Sequence, residues 1–356
     1  MKHYLIPIVL ILSITTSQAT IRTVSNDPNR PAQFATIQAA INAATSGDTI
    51  YVNGSSTAYN ESVVVNKRLV LLGAGYNSAN QLNLSTVLFN GLTLSNDNSG
   101  NNSSGTVIAG FRIPSISVAN IQPVDDIQIF RNQINTSITV YGDSWSIVNN
   151  IIGLDITTLS GIATNVLIQN NIISRSVVSF VQPSVIIDHN LFLRSSGASI
   201  QSTRFATITN NIFAGPTASA FVIAANSNTF NNNLTNSSVV SDVAPTNSFA
   251  GGPNSASGNI VGTDPQFVSA ANLTTYNAIF NYRLQNSSAG KNAGTDGTDI
   301  GIYGGTSPFP SGGAPGSGYD TSAPPPIPQV TTLNIQNPSL VPGAQLKVTI
   351  QATVNN

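Results

Sequence analysis

The sequence predicts an all-β fold: a parallel β-helix, or solenoid, with a short N-terminal capping helix and a small C-terminal β extension. Three observations lead to this prediction. A pattern of an apolar residue, two variable residues, an asparagine, one variable residue and a second apolar residue recurs about every 20 residues in the middle of the chain. An apolar stripe at helical spacing stands before the first strand-like run, and two strand-like runs follow a Pro-, Gly- and Ser-rich segment. Such a period is typical of a solenoid, in which each turn is covered by its neighbours.

The asparagine of the repeat is its most regular feature. Successive asparagines are separated by 18, 21, 19, 21 and 22 residues, at Asn132, Asn150, Asn171, Asn190, Asn211 and Asn233. Asparagine tolerates the left-handed backbone of a tight corner, and its amide both donates and accepts, so we expect a buried hydrogen-bonded ladder. The alternative is an exposed row that binds ligand, but the flanking apolar residues indicate that the row points inward. At this period the stretch from residue 49 to about 240 is expected to hold roughly nine or ten turns, with strands stacked ~4.8 Å apart.

The N-terminus has the features of a secretory signal. A basic start at Lys2 is followed by an apolar run over residues 4–14 and by small residues that end at Ala19. We expect cleavage after Ala19, and secretion or display at the cell surface. The alternative is a short buried helix. The run is too short to span a bilayer, and no later run approaches the ~20 apolar residues of a transmembrane helix.

The first turn is expected to follow a helical cap. Phe34, Ile37, Ile41 and Ala44 lie on one face of a helix, which ends at residues 46–48, and residues 49–52 read as a strand. The run 36–52, together with 59–65 and 69–73, resembles the opening of right-handed parallel β-helix proteins of the pectin-lyase-like superfamily. The runs 264–268, 282–294 and 299–305 resemble the closing module of such β-helices in exported bacterial proteins, which implies that the far end of the solenoid is fixed near Gly305.

These features divide the chain into four parts. Residues 1–19 are the predicted signal peptide and residues 20–305 the β-helix. Residues 306–328 form a Pro-, Gly- and Ser-rich linker, which is too poor in apolar residues to pack. Residues 329–356 contain two strand-like runs and are predicted to form a β-hairpin. Because an isolated hairpin is marginally stable in water, it should either lie against the solenoid or pair with something else.

Composition excludes some classes of partner. Charged residues make up 8% of the chain and the net charge is −1, so no basic patch is available to bind a nucleic-acid backbone. Cysteine is absent, so an exported chain must be held together by burial and hydrogen bonding alone. A surface rich in amides and hydroxyls suits a polysaccharide partner. Nothing in the sequence indicates an oligomeric state.

Candidate catalytic residues are few. Polysaccharide lyases and hydrolases of the resembled superfamily work on the outer face of the helix, where a calcium-dependent lyase needs several carboxylates and a base, and a hydrolase needs two or three carboxylates. The chain has a single glutamate, Glu61, and its aspartates are thinly spread. Asp188 and His189 occupy the two positions before the repeat asparagine Asn190. In the aligned repeats they are the only acid and the only imidazole at these positions, and they form the most prominent acid and base pair. They share a site only if a corner turns between them, since neighbours on a strand point to opposite faces; the alternative is a solvated pair.

A second candidate is Asp125 and Asp126, which precede a strand and could offer two carboxylates near Arg131 on the same turn. The alternative is an ordinary turn, because aspartates accept backbone hydrogen bonds there. The motifs carried by pectin hydrolases and lyases of the superfamily are not found. No metal site is predicted, and no cofactor is expected unless the protein is a lyase, which would use calcium.

Two functional hypotheses follow. The first is an exported, non-catalytic β-helix that acts at the cell surface or extracellularly, either in glycan binding or as a rigid structural module. The second is a polysaccharide lyase or glycoside hydrolase acting on uronate-containing or other plant or algal polysaccharides, which rests on the resemblance alone. Ice binding would need flat rows of threonine, whereas the outward columns here are mixed.

Overall fold

A computed structural model describes residues 19–76, 86–88, 90–97, 99–119, 122–217, 219–309, 329–335 and 348–353. The predicted signal peptide lies outside the described residues except for Ala19, and so does the predicted linker from residue 310 onward. None of the helices in the described ranges is long and apolar enough to cross a membrane.

The described residues form one helix and thirty strands. In chain order these are β1 (Ile21–Val24), α1 (Ile37–Ala43), β2 (Thr49–Val52), β3 (Val63–Val65), β4 (Val70–Gly73), β5 (Leu92–Leu94), β6 (Val107–Ala109), β7 (Arg112–Ile113), β8 (Ile116–Val118), β9 (Gln128–Phe130), β10 (Gln133–Ile134), β11 (Ile138–Val140), β12 (Ser146–Val148), β13 (Ile151–Ile152), β14 (Ile156–Thr158), β15 (Val166–Gln169), β16 (Ile172–Ile173), β17 (Val177–Val178), β18 (Val185–Asp188), β19 (Leu191–Leu193), β20 (Ile200–Gln201), β21 (Thr207–Thr209), β22 (Ile212–Ala214), β23 (Val222–Ile223), β24 (Thr229–Asn231), β25 (Leu234–Thr235), β26 (Ser255–Ser257), β27 (Phe267–Ser269), β28 (Asn281–Leu284), β29 (Gln329–Ile335) and β30 (Val348–Thr353).

The strands stack into three parallel sheets that wind as a solenoid. Sheet 1 has 11 strands in the order β1-β2-β4-β6-β9-β12-β15-β18-β21-β24-β26, sheet 2 has 7 strands from β7 to β25, and sheet 3 has 8 strands from β3 to β23. A full turn visits the sheets in sequence, as β9, β10 and β11 do. The solenoid has about 8 turns, slightly fewer than predicted, and its first turns lack a strand in sheet 2. The predicted all-β solenoid is thus confirmed.

Equivalent residues stack directly above one another. In sheet 1 the inward column consists of Ile108, Ile129, Ile147, Ile168, Ile187, Ile208 and Phe230. Every member is fully buried. Side chains alternate between the two faces of a strand, so the residues before and after each member of this column face outward. The stacked apolar columns therefore make one continuous core along the axis.

The helix α1 covers the N-terminal end, as the sequence predicts. Its N-terminal amides are satisfied by side chains: the Thr36 hydroxyl accepts from Ala39 N–H at 3.2 Å, and the Glu61 carboxylate accepts from Ile37 and Gln38 N–H at 2.8 and 2.9 Å. A carboxylate at a helix N-terminus also interacts favourably with the helix dipole. The only glutamate of the chain therefore has a capping role. Ile37 and Ile41 are buried against the first turn.

A buried carboxylate ties the first strand to the chain that follows α1. The Asp48 side chain is 1% exposed and accepts hydrogen bonds from Thr20 N–H, Thr45 N–H and Arg22 Nε at 2.9 to 3.0 Å. Burial alone raises the pKa of Asp48, but the hydrogen bonds and the guanidinium outweigh it and lower the pKa to about 2. The ionised carboxylate thus stabilises the N-terminal end of the solenoid.

The C-terminal end is closed differently from the prediction. The side chain of Phe249 plugs the core there, with its ring centroid 5.1 Å from that of Phe230 and 5.4 Å from that of Phe213. The segment predicted as the closing module, which we call the strap (residues 264–309), lies along the outer face of sheet 2 instead. It carries the antiparallel pair β27 and β28, and it buries Phe267, Tyr282, Leu284, Ile300, Ile302 and Phe309 against the solenoid.

The position of the strap follows from the composition of sheet 2. The outward column of this sheet begins with Arg112 and Gln133 and then turns apolar, with Ile151, Ile172, Leu191, Ile212 and Leu234. These five apolar side chains are at most 3% exposed because the strap covers them. Burying a side chain of this size is worth roughly 1.5–3 kcal/mol. The strap is therefore held by the hydrophobic effect over the turns where the column is apolar.

The C-terminal extension contains the predicted pair of strands. β29 and β30 pair antiparallel, with Leu333 opposite Ile350 and Ile335 opposite Val348.

Replacement of Asp48 by asparagine should reduce the acid sensitivity of the protein. The folded-state pKa of Asp48 lies below its unfolded value of 3.8, so its stabilising contribution is present above pH 4 and is lost as the pH falls toward 2. Asp48→Asn should therefore lower the thermal unfolding midpoint at pH 6, and the gap to wild type should narrow between pH 4 and pH 2. Circular dichroism melts over this pH range measure the effect. Asp126→Asn, at an exposed corner, is the control, and a gap that is constant with pH would contradict the assignment.

Candidate functional site

The repeat asparagines form a buried ladder inside the corner between sheets 1 and 2. Asn171 is representative: its N–H and its Nδ2 both donate to Asn190 Oδ1, at 2.9 and 3.1 Å. Its Nδ2 also donates to the carbonyls of Ile147 and Gln169, at 2.7 and 3.0 Å. The same arrangement recurs at the other positions, and all six side chains, of Asn132, Asn150, Asn171, Asn190, Asn211 and Asn233, are fully buried.

The ladder extends one position beyond those predicted. Asn259 Oδ1 accepts from Asn233 N–H at 2.9 Å and from Asn233 Nδ2 at 3.0 Å. The spacing of 26 residues from Asn233 exceeds that of the other members, because the loop that carries Phe249 lies between them. A side chain in this row must accept from the preceding turn and donate to three acceptors, which only a carboxamide of this length does.

The residue before each ladder asparagine forms the turn of the corner. Arg131, Asn149, Asn170, His189, Asn210 and Asn232 have φ angles of 55°, 59°, 51°, 51°, 57° and 50°. This is the left-handed region, which asparagine visits more readily than other non-glycine residues. We call this set the outer row, because its side chains point away from the core.

The strap docks on the outer row through hydrogen bonds. Asn232 Nδ2 donates to Ala293 O at 2.9 Å, and Asn170 Nδ2 donates to the carbonyls of Ile302 and Gly304 at 2.9 Å. Between them, Asn210 both donates to Thr295 Oγ1 and accepts from Thr295 N–H. The strap therefore runs back along the solenoid, from the turn of Asn232 toward that of Asn170.

Asp188 and His189 lie in the middle of this junction and are not a solvated pair. His189 is 1% exposed, and its Nδ1 is 2.8 Å from Asp188 Oδ2. The left-handed backbone of His189 turns the chain between the two residues, so their side chains converge instead of pointing to opposite faces. The alternative of a solvated pair is therefore wrong.

The hydrogen bonds of the pair are directed at protein groups. Asp188 also accepts from Gln169 Nε2, Thr209 Oγ1 and Asn210 Nδ2, at 3.0, 2.7 and 2.9 Å. Burial raises the pKa of Asp188, but these hydrogen bonds and the imidazole of His189 outweigh it, so that the pKa falls below its usual value. The carboxylate is thus held in its ionised form.

The far side of the imidazole faces the strap. His189 Nε2 is 3.3 Å from Thr298 Oγ1 and 3.7 Å from Asp296 Oδ2. Gly304 and Gly305 pack on the ring so closely that a Cβ at these positions would lie 2.7 and 3.0 Å from ring atoms. A substrate therefore has no access to the imidazole while the strap is docked. The geometry suits a polar contact that holds the strap to the solenoid better than it suits general acid or base chemistry.

Asp125, Asp126 and Arg131 belong to the same turn. The aspartates precede β9 and Arg131 follows it, so this strand lies between the two carboxylates and the guanidinium. Asp125 Oδ1 accepts from Asp143 N–H at 2.8 Å, and Asp143 Oδ1 accepts from Thr164 N–H at 2.9 Å. These aspartates therefore bridge successive turns of the solenoid at an exposed corner.

Within the part of the chain that the structure describes, no group of three or more His, Asp or Glu side chains could hold a metal ion.

No protein-family model matches the sequence, and a comparison with curated proteins finds no match either.

Sequence reasoning missed the strap contacts, although a signal for them was present. In the repeats from Ile151 to Phe213 the ladder asparagine is followed by two apolar residues in succession, such as Ile172-Ile173. Because consecutive residues on a strand face opposite sides, one of the two must point outward and needs a cover. In the preceding repeat the first residue is Gln133, which the strap does not cover.

Replacement of Asn171 by leucine should destabilise the solenoid. It removes the donors and the acceptor in the middle of the ladder and leaves buried groups on both neighbouring turns without partners, at a cost of about 1–3 kcal/mol for each group left unsatisfied. Chemical denaturation measures the loss. Asn286→Leu, at an exposed position of the strap, is the matched control and should change stability by less than about 0.5 kcal/mol. Equal stability of the two variants would mean that the Asn171 amide does not contribute to the stability of the solenoid.

Replacement of Thr298 by valine should loosen the strap selectively. The Thr298 hydroxyl donates to Asp296, accepts from Gly305 N–H at 2.8 Å and lies against His189, so an isosteric apolar side chain leaves these groups unsatisfied. Hydrogen exchange of amides 294–305 should become at least fivefold faster, while ladder amides keep their protection. Thr274→Val removes an exposed hydroxyl hydrogen bond in the same strap and should leave both sets unchanged. Unaltered exchange in Thr298→Val would show that the strap does not depend on this junction.

Proposed function

We propose that the protein is an exported, non-catalytic β-helix of the pectin-lyase-like type that acts at the cell surface or extracellularly as a rigid, glycan-binding structural module. The observation that carries this proposal is the state of the Asp188 and His189 pair. His189 is buried under the strap and Asp188 is largely buried, and their polar atoms are directed at protein groups. The most conspicuous chemical group of the chain thus has a structural role.

Rigidity follows from the way the turns are joined. In the middle of the solenoid, from the turn of Asn132 to that of Asn233, successive turns are joined by parallel strands and by the asparagine ladder, and the strap adds a lateral support across the turns from Asn170 to Asn232. A repeat structure in which neighbouring units are joined so extensively resists bending better than one that relies on apolar contacts alone. This supports a role as a spacer or platform.

The outer surface supports a carbohydrate partner. The outward column of sheet 3 includes Thr93, Ser117, Thr139 and Thr157, at successive positions of the stacked strands, and Thr93 Oγ1 lies 3.2 Å from Ser117 Oγ. Hydroxyls both donate and accept, as do the hydroxyls of a sugar. The near-zero net charge favours such neutral polar contacts over ionic ones.

Export is proposed from the first 19 residues, and one contact in the fold supports cleavage after Ala19. The Thr20 nitrogen lies 2.9 Å from the buried Asp48 Oδ1. After cleavage this nitrogen would become an α-ammonium group next to an ionised carboxylate, which is a stronger interaction than the amide hydrogen bond. Processing would therefore strengthen the N-terminal end of the solenoid.

The alternative function is that of a polysaccharide lyase or glycoside hydrolase, with calcium if it is a lyase. The observation that favours it is the exposed corner where Asp125 and Asp143 occupy successive turns, since strands of one sheet lie about 4.8 Å apart and a hydrolase needs two closely placed carboxylates. Each of these aspartates uses one oxygen to accept a backbone N–H of the next turn, which leaves the other for chemistry.

The purified chain should release no products from polysaccharides. We expect neither new reducing ends nor unsaturated uronates from a panel of acidic and neutral polysaccharides, with or without calcium, while cosedimentation with insoluble glycans should detect binding. Product formation by the wild type that is abolished in Asp125→Asn/Asp143→Asn would overturn the non-catalytic proposal in favour of the hydrolase. The matched control is Asp242→Asn, at another exposed position whose carboxylate accepts a backbone N–H from a neighbouring turn.

A further inference from the structure

A groove on the strap has the composition of a small binding site. Its volume is about 400 Å³, and it lies beside the antiparallel pair β27 and β28. Its lining includes Asp264, Gln266, Phe267, Ala270, Leu273 and Gln285. The volume is within the usual range for sites that take small molecules, about 300–1,000 Å³. The groove is separate from the junction of Asp188 and His189.

The polar side chains of this groove are held in place by hydrogen bonds to the strap itself. Asp264 Oδ1 accepts from Gln266 N–H at 2.9 Å. Ser287 Oγ donates to Gln266 Oε1 at 2.9 Å, and Gln285 Nε2 donates to Phe267 O at 3.0 Å. Each of the three side chains therefore uses one polar atom to fix its own position.

The second polar atom of each side chain is left for a ligand. Asp264 Oδ2, Gln266 Nε2 and Gln285 Oε1 take part in no hydrogen bond with the residues that the structure describes. They provide two acceptors and one donor around one groove. Because the side chains are already held, a ligand that binds them would lose little affinity to their ordering.

The backbone at Gln266 adds to this arrangement. Its φ angle is 53°, in the left-handed region that a glutamine adopts only at an energetic cost. A glycine or asparagine would satisfy the turn more easily. Strained positions of this kind persist where the side chain is needed in a particular place.

From these groups we infer that the groove binds a single neutral sugar unit of a glycan. Hydroxyls on a sugar ring can donate to Asp264 and Gln285 and accept from Gln266, so that the polar groups of the groove match those of a sugar. The Asp264 carboxylate repels a uronate or sulfate at the same place. The ligand class is therefore neutral, and binding should be nearly independent of salt because no ion pair forms.

This inference rests on the proposed glycan-binding role and names its site. The test is isothermal titration calorimetry of the full chain with cellohexaose, mannohexaose, xylohexaose and hexagalacturonate. We expect binding of at least one neutral hexasaccharide, weaker binding of hexagalacturonate, and a change of less than twofold in Kd between 50 and 500 mM NaCl.

Variants locate the site. Asp264→Ala and Gln285→Ala should each raise the Kd for the neutral hexasaccharide at least fivefold. Asp27→Ala is the matched control, because Asp27 Oδ1 accepts from the N–H two residues on, as Asp264 does, but lies in the N-terminal loop. Thermal melts of all variants show whether they are folded, and Gln266→Asn, which keeps a residue suited to the left-handed backbone, provides a further variant that should weaken binding.

The outcomes separate the two proposals. Wild-type binding that persists unchanged in the folded Asp264→Ala, Gln285→Ala and Gln266→Asn variants would overturn the site but leave glycan binding in place. Absence of wild-type binding to all probes would overturn the glycan-binding role itself. Tighter binding of hexagalacturonate than of the neutral sugars would overturn the assignment of the ligand class.

Discussion

The pair of residues at each corner between sheets 1 and 2 determines how the rest of the solenoid is arranged. The first has a left-handed backbone and turns the chain, and the second places a carboxamide inside the turn. Because the amide oxygen accepts from the preceding turn and the amide nitrogen donates to the next one, it fixes the rotation of each turn relative to its neighbours. A fixed rotation brings equivalent residues into register, and the continuous core and the continuous outer columns both depend on that register.

One consequence of exact stacking is that an outward apolar residue is repeated on every turn. A single exposed isoleucine needs no explanation, but a column of five stacked apolar side chains would form a contiguous apolar strip. Exposure of such a strip to water is unfavourable. The strap covers the strip, and the outer row supplies the hydrogen bonds that position it. His189 shows how tolerant this row is: an imidazole replaces an amide where a carboxylate on one side and a hydroxyl on the other complete its partners.

Sequence patterns led to the solenoid, the capping helix and the six ladder positions, because each of these depends on local periodicity and on the conformational preference of single residues. The burial of the Asp188 and His189 pair could not be predicted from local patterns. Whether they are exposed depends on residues such as Thr298 and Gly305, more than 100 positions further along the chain. Asp125 and Arg131 are close in sequence, but the strand β9 lies between them, so closeness in sequence does not by itself bring their side chains together. The groove beside β27 and β28 could not be predicted, since its lining comes from the residues around β27, from the irregular chain after it and from Gln285, which follows β28.

The strap also limits how such a protein can change in length. A solenoid ordinarily gains or loses a turn without disturbing the others, which makes repeat number the easiest property for duplication or deletion to alter. Here the residues from Ala293 to Gly304 meet defined partners on the turns of Asn232, Asn210, His189 and Asn170. A turn inserted among these four would put the later contacts out of step by one strand spacing, unless the strap were lengthened to match. The strap therefore acts as a ruler, because its length between Ala293 and Gly304 matches the number of turns between Asn232 and Asn170.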